Sequence, residues 1–264
     1  MKTAVVLVTG GSSGIGKETA LALSRAGCTV YEGSRRDSSI KGITHITLDV
    51  TDEASAQAAA RTVAEKEGGI DILINCAGFG ISGAVEFTRL EDARRQMDIN
   101  FFGTVNMTKA VLPYMRKAGK GRIVNISSVA AAFPIPFQTY YSASKAAINA
   151  YTLALSNEVK AFGITAVAVQ PGDIKTEFTA SRAKSAEGDA EYGGRISRSV
   201  SKMEKDEENG MSAQKAGCMI AGIALKKKSG PVCTLGLSYK VLCLAGRLLP
   251  LSLANKIIGS MYAG

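Results

Sequence analysis

Residues 4–16 read Ala4-Val5-Val6-Leu7-Val8-Thr9-Gly10-Gly11-Ser12-Ser13-Gly14-Ile15-Gly16. The first five residues are apolar and predict a strand, and a helical pattern begins at Ile15. A glycine-rich turn between a strand and a helix is typical of a dinucleotide-binding site. Glycines let the backbone approach a pyrophosphate, and the helix N-terminus offers unpaired N–H groups. The predicted contacts of this turn with a dinucleotide are Gly10, Ser12, Ser13, Gly14, Ile15 and Gly16.

Short apolar runs alternate with longer helical patterns along the rest of the chain, which is typical of βαβ units in a parallel sheet. A length of 264 residues suits one such domain. We predict an α/β fold: a doubly wound, Rossmann-type parallel sheet of seven strands flanked by helices, in a single domain over residues 1–264. The predicted strands are residues 4–8, 29–33, 43–48, 70–75, 122–126, 164–170 and 232–235. The predicted helices are residues 15–26, 52–66, 89–117, 139–161 and 213–225.

Composition and charge disfavour several classes of protein. Of the formal net charge of +9, residues 211–264 carry +7, with no acidic residue among them. This segment lacks interleaved aromatic residues and any nucleic-acid-reading motif, so we expect no nucleic-acid partner. Five cysteines without a CxxC pair and a single histidine, His45, argue against a metal site and a disulfide framework. The seven basic residues are Lys215, Lys226, Lys227, Lys228, Lys240, Arg247 and Lys256.

The first apolar run is too short for a signal peptide, and we expect a cytoplasmic protein with reduced thiols. Residues 179–210 are rich in Ser, Lys, Glu and Gly and follow a predicted strand end, where ligands bind in such sheets. That composition fits a mobile substrate lid and, equally, a disordered surface insertion.

Residues 237–264 carry apolar residues at helical spacing on both sides of Pro250, which predicts a C-terminal extension of two amphipathic helices. We expect the apolar stripes to pack on the body or to close a substrate pocket, rather than to contact a membrane. Lys240, Arg247 and Pro250 interrupt any span long enough to cross a bilayer. The stripes are Leu237, Val241, Leu244, Ala245 and Leu248, then Leu253, Ala254, Ile257, Ile258 and Met261.

Tyr141 and Lys145 lie four residues apart in a predicted helix, so that a phenol and an ammonium share one face. A free phenol titrates at about pH 10 and needs a nearby cation to act as a base at neutral pH. Lys145 supplies that charge, and the spacing selects Tyr141 over the adjacent Tyr140. Ser128, just beyond the predicted strand 122–126, is placed to hold a substrate oxygen beside the phenol.

The second predicted strand is followed by Ser34, Arg35 and Arg36. Guanidinium groups at this position favour the 2′-phosphate of NADP(H), whereas a carboxylate favours the ribose hydroxyls of NAD(H). We therefore expect NADP(H) to be bound through these three residues, with NAD(H) disfavoured. Glu32 would point toward the ribose only if the register of the strand differed.

The motifs together resemble those of the short-chain dehydrogenase/reductase family over residues 2–176. The motifs are TGxxxGIG from Thr9, Asn75-Cys76-Ala77-Gly78, Asn100, Ser128, Tyr141, Lys145 and Pro171-Gly172. The resemblance implies that Tyr141 is the catalytic acid and base, that Ser128 orients the carbonyl, and that Asn100 anchors a proton-relaying water. It also implies that Lys145 contacts the nicotinamide ribose and lowers the pKa of the tyrosine.

The resemblance implies further cofactor contacts beyond the glycine-rich turn. Asp49 matches the adenine-contacting aspartate, and residues 171–176 resemble the segment beside the nicotinamide amide. The implied contacts are Asp49, Val50, Asn75, Ala77, Gly78, Asn100, Tyr141, Lys145, Pro171, Gly172, Ile174 and Thr176. Cys76 departs from the family, which usually has a second asparagine there.

These residues predict an NADP(H)-dependent oxidoreductase that transfers hydride to or from a carbonyl or secondary alcohol. Apolar residues 133–137 suggest a hydrophobic substrate such as a steroid, a retinoid or an acyl chain, and a 3-oxoacyl thioester is an alternative. A protein that binds NADP(H) as a sensor or scaffold without turnover is the alternative of another class. Family resemblance implies a homodimer or homotetramer.

Overall fold

The computed structural model describes residues 3–226 and 229–264 and contains a parallel sheet of seven strands. In chain order the strands are β1 (Val5–Thr9), β2 (Thr29–Ser34), β3 (Thr44–Thr47), β4 (Ile72–Asn75), β5 (Gly121–Ile126), β6 (Ile164–Gln170) and β7 (Val232–Thr234). Their order across the sheet is β7, β6, β5, β4, β1, β2, β3. Successive strands are added toward one edge from β1 to β3 and toward the other edge from β4 onward, and a doubly wound sheet opens a ligand crevice at this switch point between β1 and β4. The predicted fold class is confirmed, and each strand lies within two residues of its predicted bounds.

Helices cover both faces of this sheet. In the described residues the α-helices are α1 (Gly14–Arg25), α2 (Glu53–Glu67), α3 (Leu90–Met97), α4 (Gly103–Ala118), α5 (Thr139–Glu158), α6 (Phe178–Ser181), α7 (Arg195–Glu208), α8 (Ala213–Leu225), α9 (Leu237–Leu248) and α10 (Leu251–Tyr262). Short 3₁₀ turns occupy Val129–Ala131 and Lys160–Phe162.

Strand β1 shows why the sheet is covered on both sides. Val5 and Leu7 face the layer of α2, α4 and α5, whereas Val6 and Val8 face the layer of α1 and α8. All four side chains are at most 2% exposed, as expected where successive side chains alternate between two covered faces. Each such burial contributes about 1.5–3 kcal/mol, so β1 holds both layers together.

The predicted helix over residues 89–117 is divided in the structure. α3 and α4 are joined by a π-helical turn over Asp98–Phe102. The side chain of Asn100, within this turn, is fully buried and hydrogen-bonds to the backbone of Phe79. Apolar periodicity does not distinguish a π turn from an α turn, and such turns are frequent at functional sites.

Residues 179–210 contain regular structure that their composition did not predict. α7 fills much of the segment, and its buried Ile196 and Met203 lie seven residues apart on one face. Ala183–Lys184 in the segment pairs in parallel with Ile81–Ser82 in the body. The residues that flank the segment also pair in parallel, Ile174–Lys175 with Met211–Ser212. The segment therefore packs as part of the domain in this structure.

The two predicted C-terminal helices are present as α9 and α10, separated at Pro250. The prediction for the first apolar stripe is wrong, because Leu237, Val241, Leu244 and Leu248 are 60–81% exposed. α9 packs on the body instead through Cys243, which contacts Val129 and Phe133. Within the described residues, no helix combines the length and apolar character needed to cross a membrane. Lys227, Lys228 and the side chain of Arg247 lie outside the described residues.

Candidate active site

The glycine-rich turn brings three backbone segments into contact. Gly10 N donates to Gly33 O at 2.9 Å, and a Cβ on Gly10 would lie 2.8 Å from the Cα of Ala77. A Cβ on Gly16 would lie 2.2 Å from the carbonyl oxygen of Gly10. Only glycine fits these two positions, and the first turn of α1 carries no acidic residue. The unpaired N–H groups of α1 therefore offer a site for an anion such as a pyrophosphate.

The residues at the end of β2 fall into two groups, one that lines the cavity and one that is buried in the protein. Ser34, Arg35 and Arg36 line the cavity above the turn. The Glu32 carboxylate is instead 1% exposed and contacts the His45 ring nitrogen at 2.5 Å. These residues are partners in the register of β2 and β3. Glu32 is therefore held inside the protein by His45, which the sequence had left without a chemical role.

Asp49 stays ionised at the edge of the cavity. Its Oδ1 accepts hydrogen bonds from the Thr51 backbone N at 3.0 Å and from Thr51 Oγ1 at 2.7 Å. Burial acts to raise the pKa of Asp49, but these bonds and the charge of Arg35 hold the pKa below its usual range. Asp49, Val50 and Arg35 thus line the same part of the cavity.

Asn75 does not line the cavity, in contrast to its predicted contact with a cofactor. Its Nδ2 donates to Asn125 Oδ1 at 2.8 Å and to Thr108 Oγ1 at 3.3 Å, in a fully buried network. The neighbouring Cys76, Ala77 and Gly78 do line the cavity. Side chains alternate along a strand, so the asparagine at the end of β4 turns into the helical layer.

Asn100 also lies behind the cavity wall rather than in it. Its Nδ2 donates to Ser144 Oγ at 3.0 Å, and Ser144 Oγ donates to the carbonyl oxygen of Tyr141 at 2.7 Å. Its Oδ1 accepts from the Phe79 backbone N at 3.0 Å. Asn100 thus fixes the backbone around Tyr141, and its direct contact with a cofactor stays a prediction.

Tyr141 and Ser128 both line the cavity, and the hydroxyl of Ser128 is placed to donate a hydrogen bond to the phenolate and so lower its pKa. Burial raises the pKa of Tyr141 to about 12, opposed by the bond from Ser128 and by the charge of Arg182. The resemblance implied a lowered pKa. In the free protein the shift goes the other way, because removing the phenolate from water outweighs the groups that stabilise it.

Lys145 lies beneath the tyrosine on the next turn of α5. Its Nζ donates to the carbonyl oxygen of Ile126 at 2.8 Å and lies 5.6 Å from the centre of the Tyr141 ring. Burial lowers the pKa of Lys145 to about 8. Ser127 Oγ donates to the Lys145 carbonyl oxygen at 3.0 Å, which fixes the strand end against α5.

A cavity of about 1030 Å³ connects the glycine-rich turn with Tyr141. Its far wall is apolar and belongs largely to α9 and α10, with Leu242, Leu249, Ile257 and Met261 among its residues. The predicted site residues that line it are Gly10, Ser12, Ser13, Gly14, Ile15, Gly16, Ser34, Arg35, Arg36, Asp49, Val50, Ala77, Gly78, Ser128, Tyr141, Lys145, Pro171, Gly172, Ile174 and Thr176.

A buried ion pair stands close to Tyr141, and the sequence did not predict it. The fully buried guanidinium of Arg182 pairs with Glu207, whose Oε2 also accepts from Thr179 Oγ1 at 2.5 Å. The Arg182 guanidinium lies 5.8 Å from the ring centre of Phe178, whose ring in turn lies 5.8 Å from that of Tyr141. Both charges act on the pKa of Tyr141, Glu207 raising it and Arg182 lowering it.

Further carboxylates line the same end of the cavity. Asp206 accepts from Tyr262 Oη at 3.0 Å and pairs with Lys202 at 3.2 Å. Tyr239 donates to Asp173, whose pKa is raised by burial and by the nearby Asp206. Three carboxylates, Asp173, Asp206 and Glu207, therefore lie near Tyr141 together with three cations, Lys145, Arg182 and Lys202. The exposed Glu177 and the exposed Arg95 also line the cavity.

Comparison with known proteins gives consistent matches. Residues 4–187 match the family described as short chain dehydrogenase. The chain is 44% identical to a 3-ketodihydrosphingosine reductase from Bacteroides thetaiotaomicron, over 86% of each chain. The crystal structure of a short-chain dehydrogenase from Streptomyces avermitilis superposes with a TM-score of 0.84 at 31% identity, covering 97% of this chain and 94% of that one. ElxO with NADP bound superposes with a TM-score of 0.75 at 28% identity, covering 91% and 100%.

Proposed function

The chain belongs to the short-chain dehydrogenase family and is an oxidoreductase, and from this we propose that it reduces a long-chain 2-amino-3-ketone such as 3-ketodihydrosphingosine with NADPH. The observation that carries the proposal is the shape and charge of one cavity. It runs from the glycine-rich turn past Tyr141 to a group of carboxylates and an apolar wall. A ketone, an ammonium group and an alkyl chain each find a complementary surface there.

The charge near Tyr141 favours an amine over the other hydrophobic substrates. Steroids, retinoids and simple ketones are neutral and offer these carboxylates no cation, whereas an ammonium group would add a charge-assisted hydrogen bond. A 3-oxoacyl thioester that carries phosphates would bring anionic groups toward these carboxylates, and like charges repel. Glu207 is closest to the chemistry, and a carboxylate that already binds Arg182 and Thr179 retains lone pairs for an ammonium group.

The residues at the turn fit a dinucleotide phosphate. Gly10 and Gly16 leave space where any side chain would clash, and the free N-terminus of α1 follows. Arg35 and Arg36 support a preference for NADP(H), because Glu32 is held by His45 and the two guanidinium groups line the cavity. The related ElxO has been solved with NADP bound.

Replacing Arg35 and Arg36 by alanine is expected to lower kcat/KM for NADPH by roughly ten- to a hundredfold, because charge-assisted hydrogen bonds to a phosphate contribute about 1.5–3 kcal/mol. The value for NADH should change by less than about threefold. Steady-state kinetics with both cofactors measure this ratio. An equal loss with NADH would assign the arginines to folding or to the shared pyrophosphate.

When bound, the nicotinamide would supply the hydride for the carbonyl carbon. Tyr141 would donate its phenolic proton to the carbonyl oxygen while Ser128 donates a hydrogen bond to the same oxygen, so that negative charge never accumulates there. The Lys145 ammonium would then stabilise the phenolate until a proton from solvent restores it. Asn100 acts as a positioning residue through Ser144.

The affinity for NADPH is expected to fall above about pH 8, up to tenfold per pH unit. The free enzyme holds Lys145 with a pKa of about 8, and a polyanionic cofactor favours its charged form, so deprotonation at higher pH must be reversed on binding. Fluorescence titration at several pH values measures the dissociation constant. Lys145→Met should bind weakly with a flat profile, whereas Lys109→Met on the exposed surface of α4 should keep the wild-type profile.

The function is tested by NADPH oxidation with three ketones of equal chain length: the free amino ketone, its N-acetyl derivative and a 3-oxoacyl thioester. We expect kcat/KM for the free amine to exceed that for the N-acetyl compound by about tenfold or more, the effect of one charge-assisted hydrogen bond. Equal rates for these two would contradict recognition of the ammonium. A preference for the thioester would support the alternative substrate class, and no turnover of any ketone would contradict the proposed function.

We also propose a homo-oligomer, as is typical of the family. Phe102 and Leu153 are 50% and 42% exposed on the outer helical layer that contains α4 and α5. Exposed apolar side chains of this size are typical of contact surfaces. Light scattering of the purified protein measures the number of subunits.

A further inference from the structure

We propose that the outer face of α9 and the start of α10 binds the surface of an anionic lipid bilayer. Here the docking face means Leu237, Val241, Leu244, Leu248 and Leu251. Their exposed fractions are 78%, 60%, 61%, 81% and 83%. The first four recur at intervals of four, three and four residues, which places them in one stripe along the helix. A stripe of large, exposed apolar side chains marks an interaction surface.

The positive charge beside the docking face indicates that the binding partner is an anionic membrane. Lys240 lies in α9 between Leu237 and Leu244 in helical spacing, and Lys256 is exposed on α10. No acidic residue occurs between residues 211 and 264. Amphipathic helices with an apolar face, flanking lysines and no carboxylates are typical of binding to anionic membranes. A second copy would place the same positive charges opposite one another, which disfavours it as the occupant.

The docking face also adjoins the mouth of the substrate cavity. Leu242, Leu249, Ile257 and Met261 line that cavity and are still 39–47% exposed. They are interleaved in sequence with the docking face, on the same two helices. A bilayer against this surface would let an alkyl chain pass from lipid into the cavity without crossing water. The contact is peripheral, because no helix among the described residues is suited to span a membrane.

Co-sedimentation with vesicles tests the proposal, and it needs no substrate. The full chain should bind vesicles of phosphatidylglycerol and phosphatidylcholine and bind pure phosphatidylcholine much more weakly. Leu244→Glu with Leu248→Glu should reduce partitioning by tenfold or more, since burial of one leucine corresponds to about 1.5–3 kcal/mol. Lys240→Gln should reduce it by about fivefold. Neither leucine lines the cavity, so turnover of a short, water-soluble amino ketone should stay unchanged in the double variant.

Leu90→Glu is the matched control, because Leu90 is 60% exposed on α3, far along the chain from the docking face. It should bind vesicles like the wild type. Failure of the wild-type protein to bind anionic vesicles would overturn the proposal, as would an equal loss in the Leu90 variant. If the double variant changed the oligomeric state in light scattering and the wild type did not bind vesicles, the face would belong to a second copy of the chain.

Discussion

Replacing Tyr141 by phenylalanine will lower kcat for ketone reduction by about two to four orders of magnitude, the range that a general acid contributes. The variant removes one oxygen and leaves the ring that packs on Phe178 in place. Its affinity for NADPH should therefore change little. Single-turnover oxidation of NADPH measures the loss, with a fluorescence titration as the binding control.

Tyr140→Phe is the matched control for this prediction. Tyr140 precedes Tyr141 in α5 but is absent from the lining of the cavity among the described residues. Its variant should keep nearly the full rate. If the Tyr141 variant retained more than about a tenth of the wild-type turnover, another group would have to donate the proton.

The raised pKa of Tyr141 keeps the phenol of the free enzyme in the protonated form that ketone reduction requires. A phenol with a pKa of about 12 is protonated at pH 7 and ready to donate. Oxidation needs the phenolate, which at pH 7 is only about one part in 10⁵ before cofactor and substrate act on the site.

The sheet and the reacting residues could be predicted because their signals are local. Four apolar residues of β1 precede the glycine turn, and Tyr141 and Lys145 are separated by one helical turn. Such patterns need no knowledge of distant parts of the chain. The strand bounds and the placement of Ser128, Tyr141 and Lys145 around one cavity agree with them.

The features that the sequence did not predict depend on packing between distant segments of the chain. The stripe from Leu237 to Leu248 has the period of a buried face, yet Cys243 on the other side of α9 makes the contact with Phe133. Amphipathic spacing identifies a helix and its stripe, but it does not say which face meets the body. Asn75 likewise carries a family motif, and only the pairing with Asn125 reveals its buried role.

The charged residues near Tyr141 could not be predicted either, because packing between distant segments places them there. Lys202, Asp206 and Glu207 belong to a segment whose composition fits a surface insertion. Charges in such a segment are normally solvated. Their role emerges only when α7 brings them to Arg182 and the cavity, which no spacing in the sequence encodes.

Breaking the ion pair between Arg182 and Glu207 is expected to cause a large loss of stability. Glu207→Gln should lower the free energy of unfolding by about 3–5 kcal/mol, because it leaves a fully buried guanidinium without its counter-charge. Nη1 of Arg182 already lacks a partner among the described residues, so little compensation is available. Arg182→Met combined with Glu207→Gln should recover most of this stability, since removing both charges also removes the cost of burying them.

Urea denaturation of the two single variants and the double variant measures the coupling. The cycle should give a coupling energy above about 2 kcal/mol, as groups in one buried network are not additive. The pair Lys109 and Glu53 is the control, with side chains 58% and 50% exposed at a distance of 2.7 Å. The same cycle there should give less than about 1 kcal/mol. Similar coupling energies for the two pairs would show that burial does not strengthen the interaction between Arg182 and Glu207.

The double variant also separates the structural role of Glu207 from its proposed role in recognition. Because that protein should be folded, its kinetics report on the missing carboxylate and not on a collapsed site. We expect it to turn over the N-acetyl amino ketone about as well as the wild type does, and to lose most of the tenfold preference for the free amine. If the preference survived, Asp206 and Asp173 would have to supply the charge that the ammonium group meets. The outcome therefore shows which carboxylate binds the ammonium group of the substrate. It does not depend on whether Tyr141 donates the proton.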